Sequence, residues 1–387
     1  MSRFYFDHAA ATPVREEVVA EMEPYFSKKF GNPSSLHNFG QEAKEALEKS
    51  RVLIGELLNA NPKDIVFTSG GTESNNLALK GVAFANKEKG KHIIVSKIEH
   101  PCVMNSAKWL ESQGFEVTYL DVDKYGVVNP SDVEKAIKKG TILVSVMHAN
   151  NEIGTVEPIE EIGKICNDKD VIFHTDAVQT FGRIPIDVKN VDLLTACSHK
   201  VYGPKGVGLL YVKEGTKIEP LIHGGGHEKG LRSGTENVAG IAGFSKAAYL
   251  AYSEMNEEGE RLTKMRDRII KEVLEIEDSF LNGHPTKRLQ NNAHFCFRYI
   301  EGEALALHLD DKGIEASTGS ACSSKKLEPS YVLLALGLKR EEAHGSLRLT
   351  LGRKNNDEQV DYLLKELPPI VKKLREMSPF TKGSSWE

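Results

Sequence analysis

Short apolar runs alternate with helix-like stretches through the middle of the chain. The apolar runs are rich in β-branched residues and lie in DIVFTSGG, KHIIVSKIEH, FEVTYLDVD, TILVSVMHAN and DVIFHTDAVQ. This alternation predicts βαβ units and a mostly parallel sheet that is covered on both faces, which is an α/β architecture. The segment DLLTACSHKVYGPKGVGLLYVKE predicts two further strands, joined across Gly203 and Pro204.

The pattern changes near residue 256. A long charged amphipathic helix, EGERLTKMRDRIIKEVLEIED, leads into NNAHFCFRYI, then a helix in EGEALALHLDDKG, a loop that contains Cys322, and GSLRLTLGRKNNDEQVDYLLKEL. We therefore expect a large domain over residues 15–255 and a smaller α+β domain over 256–387 that includes the N-terminal segment 1–14.

Composition narrows the classes of partner. The chain has 387 residues, 40% of them hydrophobic and 27% charged, and a net charge of -5, with Lys and Arg dispersed. This charge favours neither nucleic acid nor an anionic membrane as a partner, and the apolar runs are too short to cross a membrane, so we expect a cytoplasmic protein. The cysteines show neither zinc spacing nor a disulfide framework; they are Cys102, Cys166, Cys197, Cys296 and Cys322.

Polar residues follow the predicted strands, where open α/β sheets bind their ligands. Gly71 and Thr72 come after the first strand and begin a helix, so their backbone N–H groups can receive a phosphate, although taken alone the segment favours a plain tight turn with a Thr or Glu cap. His100 precedes a proline after the next strand and can stack on a flat ring or carry protons, and a structural histidine is the alternative. No G-x-G-x-x-G or P-loop motif accompanies them.

Three later strand ends carry amides, a carboxylate and a lysine. Asn151 lies in HANNEIG, where turn formation is the alternative to ligand binding. Asp176 is followed by Gln179, and its carboxylate can bind a metal, a ribose or a protonated ring nitrogen, or simply cap a helix. Lys200 follows an apolar run, where it is either a nucleophilic amine or an exposed lysine at a strand end. Taken together, these groups are the parts of a pyridoxal 5'-phosphate site.

Cys322 lies in STGSACSSKK, a run of small polar residues that ends in two lysines. Such a segment predicts an exposed loop, and the lysines favour the thiolate. A small buried hydrophobe is the usual alternative for a lone cysteine, and it suits Cys296 in HFCFRY better.

The chain resembles the class V cysteine desulfurases of the NifS/IscS branch, nearly from end to end. The resemblance rests on YFDHAAATPV, FGNPSSLH, FTSGGTESNNLALKG, EHPCV, MHANNEIGTV, HTDAVQTFG, SHKVYGPKGVG, HGGGHEKGLRSGTENV, STGSACSS and LEPSYVLLALGL. It implies the fold-type I of pyridoxal phosphate enzymes, with a mostly parallel seven-stranded sheet in the large domain.

The resemblance also implies roles for residues at the matching positions. Lys200 binds the cofactor covalently, Asp176 pairs with its ring nitrogen, Gln179 contacts its hydroxyl and His100 stacks on it. Asn151 contacts the cofactor ring and the substrate, and Arg348 binds the substrate carboxylate. The cofactor phosphate is bound by Gly71, Thr72, His199 and, from the neighbouring subunit of a homodimer, Thr235. Where the family has a phosphate-binding serine this chain has Cys197, so either Ser198 or another donor compensates, or the phosphate site has one hydrogen bond fewer.

The implied reaction is removal of sulfur from L-cysteine. Lys200 moves the α-proton, His100 is a second proton carrier, and the Cys322 thiolate takes the sulfur as a persulfide, leaving alanine. The implied acceptor is an IscU-like iron–sulfur scaffold, with Cys322 as a transient ligand of a [2Fe–2S] cluster. An aminotransferase of the same fold, a selenocysteine lyase, and a sulfur-relay protein without catalysis stay open as alternatives.

Overall fold

The computed structural model describes residues 3–319 and 329–379. Its strands are β1 (Phe4–Tyr5), β2 (Ile65–Thr68), β3 (His92–Ser96), β4 (Glu116–Leu120), β5 (Thr141–Ser145), β6 (Ile172–Asp176), β7 (Leu193–Cys197), β8 (Gly208–Val212), β9 (Ser279–Asn282), β10 (Asn292–Phe297), β11 (Ile314–Glu315) and β12 (Ser346–Thr350).

Helices connect and cover these strands. The α-helices are α1 (Glu16–Met22), α2 (Pro24–Ser27), α3 (Asn38–Leu57), α4 (Gly71–Asn76), α5 (Val82–Asn86), α6 (Pro101–Ser112), α7 (Pro130–Ala136), α8 (Ile159–Asp168), α9 (Val238–Val273), α10 (Gly302–Asp310), α11 (Tyr331–Ala335), α12 (Arg340–His344) and α13 (Asp357–Met377). A π-helical segment, Leu77–Gly81, joins α4 to α5, and short 3₁₀ helices cover Pro62–Asp64, Ser198–Lys200 and Glu228–Gly230. None of the helices within the described ranges has the length and apolar character needed to cross a membrane.

A seven-stranded sheet with the order β2-β8-β7-β6-β5-β3-β4 forms the centre of the large unit. Strand β8 is antiparallel to both of its neighbours, and the pairs from β7 to β4 are parallel. The sequence prediction of a mostly parallel sheet is confirmed. The two strands expected on either side of Gly203 and Pro204 are β7 and β8.

The central strands are apolar along their whole length because helices cover both faces of the sheet. Every residue of β3, β5 and β7 is buried. One face adds Phe173 of β6 to an apolar cluster with Ile54 and Phe244, and the other face adds Leu143 of β5 to a cluster with Leu79 and Leu110. The carboxyl ends of the parallel strands are therefore the part of the sheet that is left open to a ligand.

The C-terminal unit has its own apolar cluster around the antiparallel sheet β12-β10-β9. Helix α13 adds Val360, Leu363 and Leu367 to this cluster, and Phe6 from the N-terminal segment is also part of it. Strand β1 pairs in parallel with β11, so the N-terminal segment is held against this unit.

Helix α9 starts much earlier than the sequence pattern indicates. The charged amphipathic stretch is its second half, and the helix runs without a break through the expected boundary between residues 255 and 256. Its first half belongs to the cluster of the large sheet and its second half to the cluster of the C-terminal unit. The division into residues 15–255 and 256–387 stays a prediction.

Candidate active site

A cavity of about 540 Å³ opens at the carboxyl ends of the parallel strands. Its walls include residues from the ends of β2, β3, β5, β6 and β7, and also from the C-terminal unit. The sequence-predicted residues that line it are Gly71, Thr72, His100, Asn151, Asp176, Gln179, Cys197, His199, Lys200 and Arg348. Segments far apart in the chain therefore meet in one place, as the strand-end argument predicts.

Gly71 begins α4, and its lack of a side chain allows the Val178 side chain to approach its backbone closely. A Cβ atom on Gly71 would lie 2.9 Å from Cγ2 of Val178. The preceding Gly70 has a φ of 149°, a backbone conformation that favours glycine. Glu73 accepts a hydrogen bond from the Ser69 backbone N–H at 2.9 Å and pairs with Arg232 at 2.9 Å. Together these contacts hold the turn so that the start of α4 faces the cavity.

His100 caps α6, and Pro101 occupies the first turn of that helix. Its Nδ1 accepts a hydrogen bond from the Cys102 backbone N–H at 3.3 Å, and the Cys102 Sγ lies 3.0 Å from the same nitrogen. Burial lowers the pKa of His100, and the neighbouring Asp176 opposes this shift. The imidazole is therefore held neutral near pH 7.

Asp176 is the last residue of β6 and is 4% exposed. Its Oδ1 accepts from the Val178 backbone N–H at 2.9 Å, and its Oδ2 accepts from Nδ2 of Asn75 at 2.7 Å. The residues that follow form turns, so Asp176 does not cap a helix. Gln179 donates from Nε2 to the Ala9 carbonyl at 3.1 Å. A buried carboxylate in the cavity wall is suited to pair with a cationic group of a ligand.

Lys200 ends the 3₁₀ helix that follows β7. Its Nζ donates to the carbonyl oxygens of Ala9 at 2.7 Å and Ala10 at 2.6 Å. The backbone of this lysine is held in turn, because Nη2 of Arg183 donates to the Lys200 carbonyl at 2.8 Å. The N-terminal segment therefore forms part of the cavity wall and positions the amine.

Of the three residues from 197 to 199, the first and the last line the cavity and the middle one does not. Cys197 lines the cavity, and burial raises the pKa of its thiol to about 12. His199 also lines the cavity, and burial lowers its pKa to about 4. Ser198 is not among the lining residues; its Oγ lies 2.0 Å from where a Cβ on Gly203 would be. This position does not favour direct contact between Ser198 and a ligand in the cavity, and the compensating donor stays open.

Arg348 lies in β12 and closes the cavity from the side of the C-terminal unit. It is 3% exposed. Its Nη2 donates to Oδ1 of Asp7 at 2.8 Å and its Nη1 donates to the carbonyl of Asn151 at 3.0 Å, while its buried Nε has no partner within the described residues. A buried guanidinium with an unpaired N–H can bind a ligand carboxylate.

Gly319 and Ser330, which lie on either side of the segment 320–328, also line the cavity. Ser330 donates a hydrogen bond to Oε2 of Glu152, and the same oxygen lies 2.9 Å from where a Cβ on Gly319 would be. Burial raises the pKa of Glu152 to about 7. Cys322, and with it the predicted [2Fe–2S] ligand, lies outside the described residues. Thr235 is exposed and does not line the cavity of this single chain.

Sequence reasoning missed several residues of the site. Asn75 and Glu152 lie inside quoted motifs, TESNN and HANNEIG, but only the fold brings their side chains to the cavity. Cys102, in EHPC, has no zinc or disulfide spacing that would indicate a site, and the structure places it in the cavity wall. The Ala9 and Ala10 carbonyls carry no side-chain signal at all.

The chain is similar to known proteins over nearly its whole length. The family model for aminotransferases of class V matches residues 4–363. The cysteine desulfurase IscS of Methanosarcina thermophila is 56% identical over 97% of this chain and 94% of its own length. A solved NifS-like protein superimposes with a TM-score of 0.91 at 39% identity, covering 96% of this chain and 100% of that one. A structure of SspA in complex with cysteine has a TM-score of 0.81 at 39% identity, covering 90% of this chain and 98% of that one.

Proposed function

This chain belongs to the class-V aminotransferase family and is a cysteine desulfurase, and from that premise we propose how its residues remove sulfur from L-cysteine. The observation that carries the proposal is that Lys200, Asp176 and Arg348 line one cavity with Gly319, the last described residue before Cys322. An amine, a carboxylate and a guanidinium are thus available to one small amino acid, and the described chain reaches the same cavity at Gly319.

The cavity fits pyridoxal phosphate, the cofactor of the family. Its volume lies within the range usual for small-molecule sites. The buried Asp176 carboxylate suits a protonated ring nitrogen, and the glycine turn at Gly71 leaves room at a helix start for a phosphate. We propose Lys200, Asp176, Gln179 and His100 as the residues around the ring. When bound, the cofactor withdraws electrons from the bonds at the α-carbon of an amino acid.

The proposed roles follow from the contacts of each side chain. The buried guanidinium of Arg348 binds the substrate carboxylate, and Asn151 lies beside it because its carbonyl accepts from Arg348. The amine of Lys200, held by two backbone carbonyls, is a base for the α-proton once it is neutral. The neutral imidazole of His100 is a second proton carrier at the same cavity wall.

Cys322 is proposed as the sulfur acceptor within the chain. Its thiolate attacks the sulfur of the substrate, an S–S bond forms and the substrate C–S bond breaks. Cys322 becomes a persulfide, and the carbon fragment takes up protons to become alanine, so that cysteine and a thiol give alanine and a persulfide without another redox partner. Support comes from the sequence around Cys322 and from the position of Gly319 and Ser330 in the cavity wall.

We also propose a cytoplasmic homodimer that passes its sulfur to an IscU-like scaffold. The exposed position of Thr235 is compatible with a contact to the phosphate of a neighbouring subunit. The role of Cys322 as a transient [2Fe–2S] ligand belongs to the same proposal and rests on the family resemblance.

The deciding experiment measures sulfide and alanine together after the holoenzyme is mixed with L-cysteine and dithiothreitol. We expect equal amounts of both products from the wild type. In Cys322→Ala the rate of formation of both products should fall by about 100-fold or more, because the nucleophile is missing. Cys296→Ala is the matched control and should keep its activity. Equal release by the wild type and Cys322→Ala would contradict the mechanism, amino-group transfer to a keto acid would indicate an aminotransferase, and a strong preference for selenocysteine would indicate the lyase.

A further inference from the structure

Asn75 connects two residues of the candidate active site. It is 1% exposed and lies in α4. Its Nδ2 donates to Oδ2 of Asp176 at 2.7 Å and to Sγ of Cys102 at 3.1 Å. An amide nitrogen carries two hydrogens, one for each acceptor. The opposite orientation of the amide would place its carbonyl oxygen against the Asp176 carboxylate, so the direction of both bonds is determined.

Cys102 continues the connection to His100. Nδ1 of His100 accepts from the Cys102 backbone N–H at 3.3 Å, and a nitrogen that accepts a hydrogen bond carries no proton of its own. The S–H group of Cys102, 3.0 Å away, must therefore be the donor in the second contact with Nδ1. Burial raises the pKa of Cys102 to about 12, so the thiol keeps the proton that this bond requires.

We propose that Asn75 and Cys102 are positioning residues that connect Asp176 to His100 and hold His100 in the tautomer with its proton on Nε2. The polar chain runs from the Asp176 carboxylate through the Asn75 amide and the Cys102 thiol to Nδ1 of His100. The same amide also fixes the position of the Asp176 carboxylate, because its Nδ2 donates to Oδ2. Because Nδ1 is occupied, His100 exchanges protons with a ligand through Nε2.

This inference rests on the proposed function only for the catalytic roles of Asp176 and His100 in the cavity, and the contacts themselves do not depend on it. The charges that act on His100 are those of Asp176, which raises its pKa, and Lys200, which lowers it, with burial as the larger lowering cause. Glu99 acts on the adjacent Cys102 thiol and raises its pKa further. None of these groups donates a proton to Nδ1, so the tautomer depends on Cys102.

The test is nitrogen NMR of the holoenzyme with ¹⁵N-labelled histidine rings, in the absence of substrate, with His100→Gln used to assign the signal. In the wild type, Nδ1 of His100 should be unprotonated and Nε2 protonated. Cys102→Ser keeps a donor and should keep the tautomer. Cys102→Ala removes the S–H donor at 3.0 Å and leaves only the longer 3.3 Å bond from the backbone N–H, so part of the rings should carry the proton on Nδ1 and the His100 pKa should rise by about 0.5 to 1 unit.

Asn75→Leu separates the two halves of the chain of contacts. It removes the donor to Asp176 but leaves Cys102 in place, so it should keep the His100 tautomer while the fraction of cofactor retained through gel filtration falls about threefold or more. A proton on Nδ1 in the wild type, an unchanged tautomer and pKa in Cys102→Ala, or full retention in Asn75→Leu would overturn the inference. A missing desulfurase activity together with the expected tautomer would contradict the proposed function alone.

Discussion

At the scale of single residues, the guanidinium of Arg348 is oriented before any substrate arrives. Asp7 holds one end of it at 2.8 Å, and the Asn151 carbonyl holds the other nitrogen at 3.0 Å. The side chains of Arg348 and Asp7 are 4% and 19% exposed, so water screens this ion pair only in part. Nη1 and Nη2 each carry a second hydrogen, and the buried Nε–H has no partner within the described residues, so donors remain for a substrate carboxylate and their direction depends on Asp7.

We expect Asp7→Ala to raise the KM for L-cysteine about 5- to 10-fold while kcat changes less than about twofold, since one orienting charge-assisted hydrogen bond is lost in substrate binding. Asp7→Asn keeps an acceptor oxygen and should show a smaller increase. Steady-state kinetics of alanine formation measures both constants. A lower kcat with an unchanged KM would show that Asp7 acts in a later step.

At the scale of elements, the strand ends could be predicted from the sequence and much of helix α9 could not. The buried parallel strands have continuous apolar runs, and these indicate where each strand ends and which polar residue follows it. The first half of α9 is buried on most sides, so Val238–Ala248 lacks the polar face from which a helix is recognised. Asn75 and Cys102 were missed for a related reason, because their partners come from other elements and no local spacing indicates them.

The edge strand β2 is protected by an ion pair from other elements. Arg51 of α3 and Glu228 form two hydrogen bonds of 2.8 Å, with side chains that are 6% and 2% exposed. Arg51 also donates to the Ile65 carbonyl at 2.7 Å, and Glu228 accepts from the Phe67 backbone N–H at 2.8 Å. This pair therefore satisfies backbone groups that an edge strand leaves without a partner.

We expect Glu228→Ala to lower the free energy of unfolding by about 3 to 5 kcal/mol, because it leaves the Arg51 guanidinium buried without its main partner. Glu48→Ala is the matched control: Glu48 also contacts Arg51, at 3.4 Å, but is 53% exposed, and its removal should cost less than about 1 kcal/mol. Denaturant titration of the holoenzyme compares the two variants. Similar losses in both would contradict the role assigned to burial.

At the scale of the whole molecule, two sets of buried titratable groups oppose each other as pH changes. Burial lowers the pKa of His174 and His294 to about 3 and that of His148 to about 4. Burial also raises the pKa of Glu99 to about 8 and that of Glu152 to about 7. The histidines are neutral and these carboxyl groups are protonated in the folded chain over much of the range in which the unfolded chain has the opposite states.

The signs of the two contributions follow from proton linkage. Below pH 6.5 these histidines are protonated in the unfolded chain, whereas in the folded chain they stay neutral down to about pH 3 to 4. The free energy of unfolding therefore falls as the pH decreases. The protonated carboxyl groups contribute stability that is fully present below about pH 4.5 and is lost as the pH rises to about 7 for Glu152 and 8 for Glu99. Each group changes the free energy of unfolding by about 1.4 kcal/mol per pH unit within its own window.

We therefore expect one substitution to reduce the loss of stability at acidic pH and another to reduce the loss of stability as the pH rises towards 8. The melting temperature of Glu99→Gln relative to the wild type should increase steadily from pH 5 to pH 8, because glutamine cannot ionise in the buried site. That of His174→Gln relative to the wild type should increase as the pH falls from 6.5 to 4.5, because glutamine takes up no proton on unfolding. Thermal melts of the three holoenzymes across this range provide the comparison, and the difference from the wild type at each pH removes the effects of all other groups. A difference that stays constant with pH for either variant would mean that its residue titrates alike in the folded and unfolded chains.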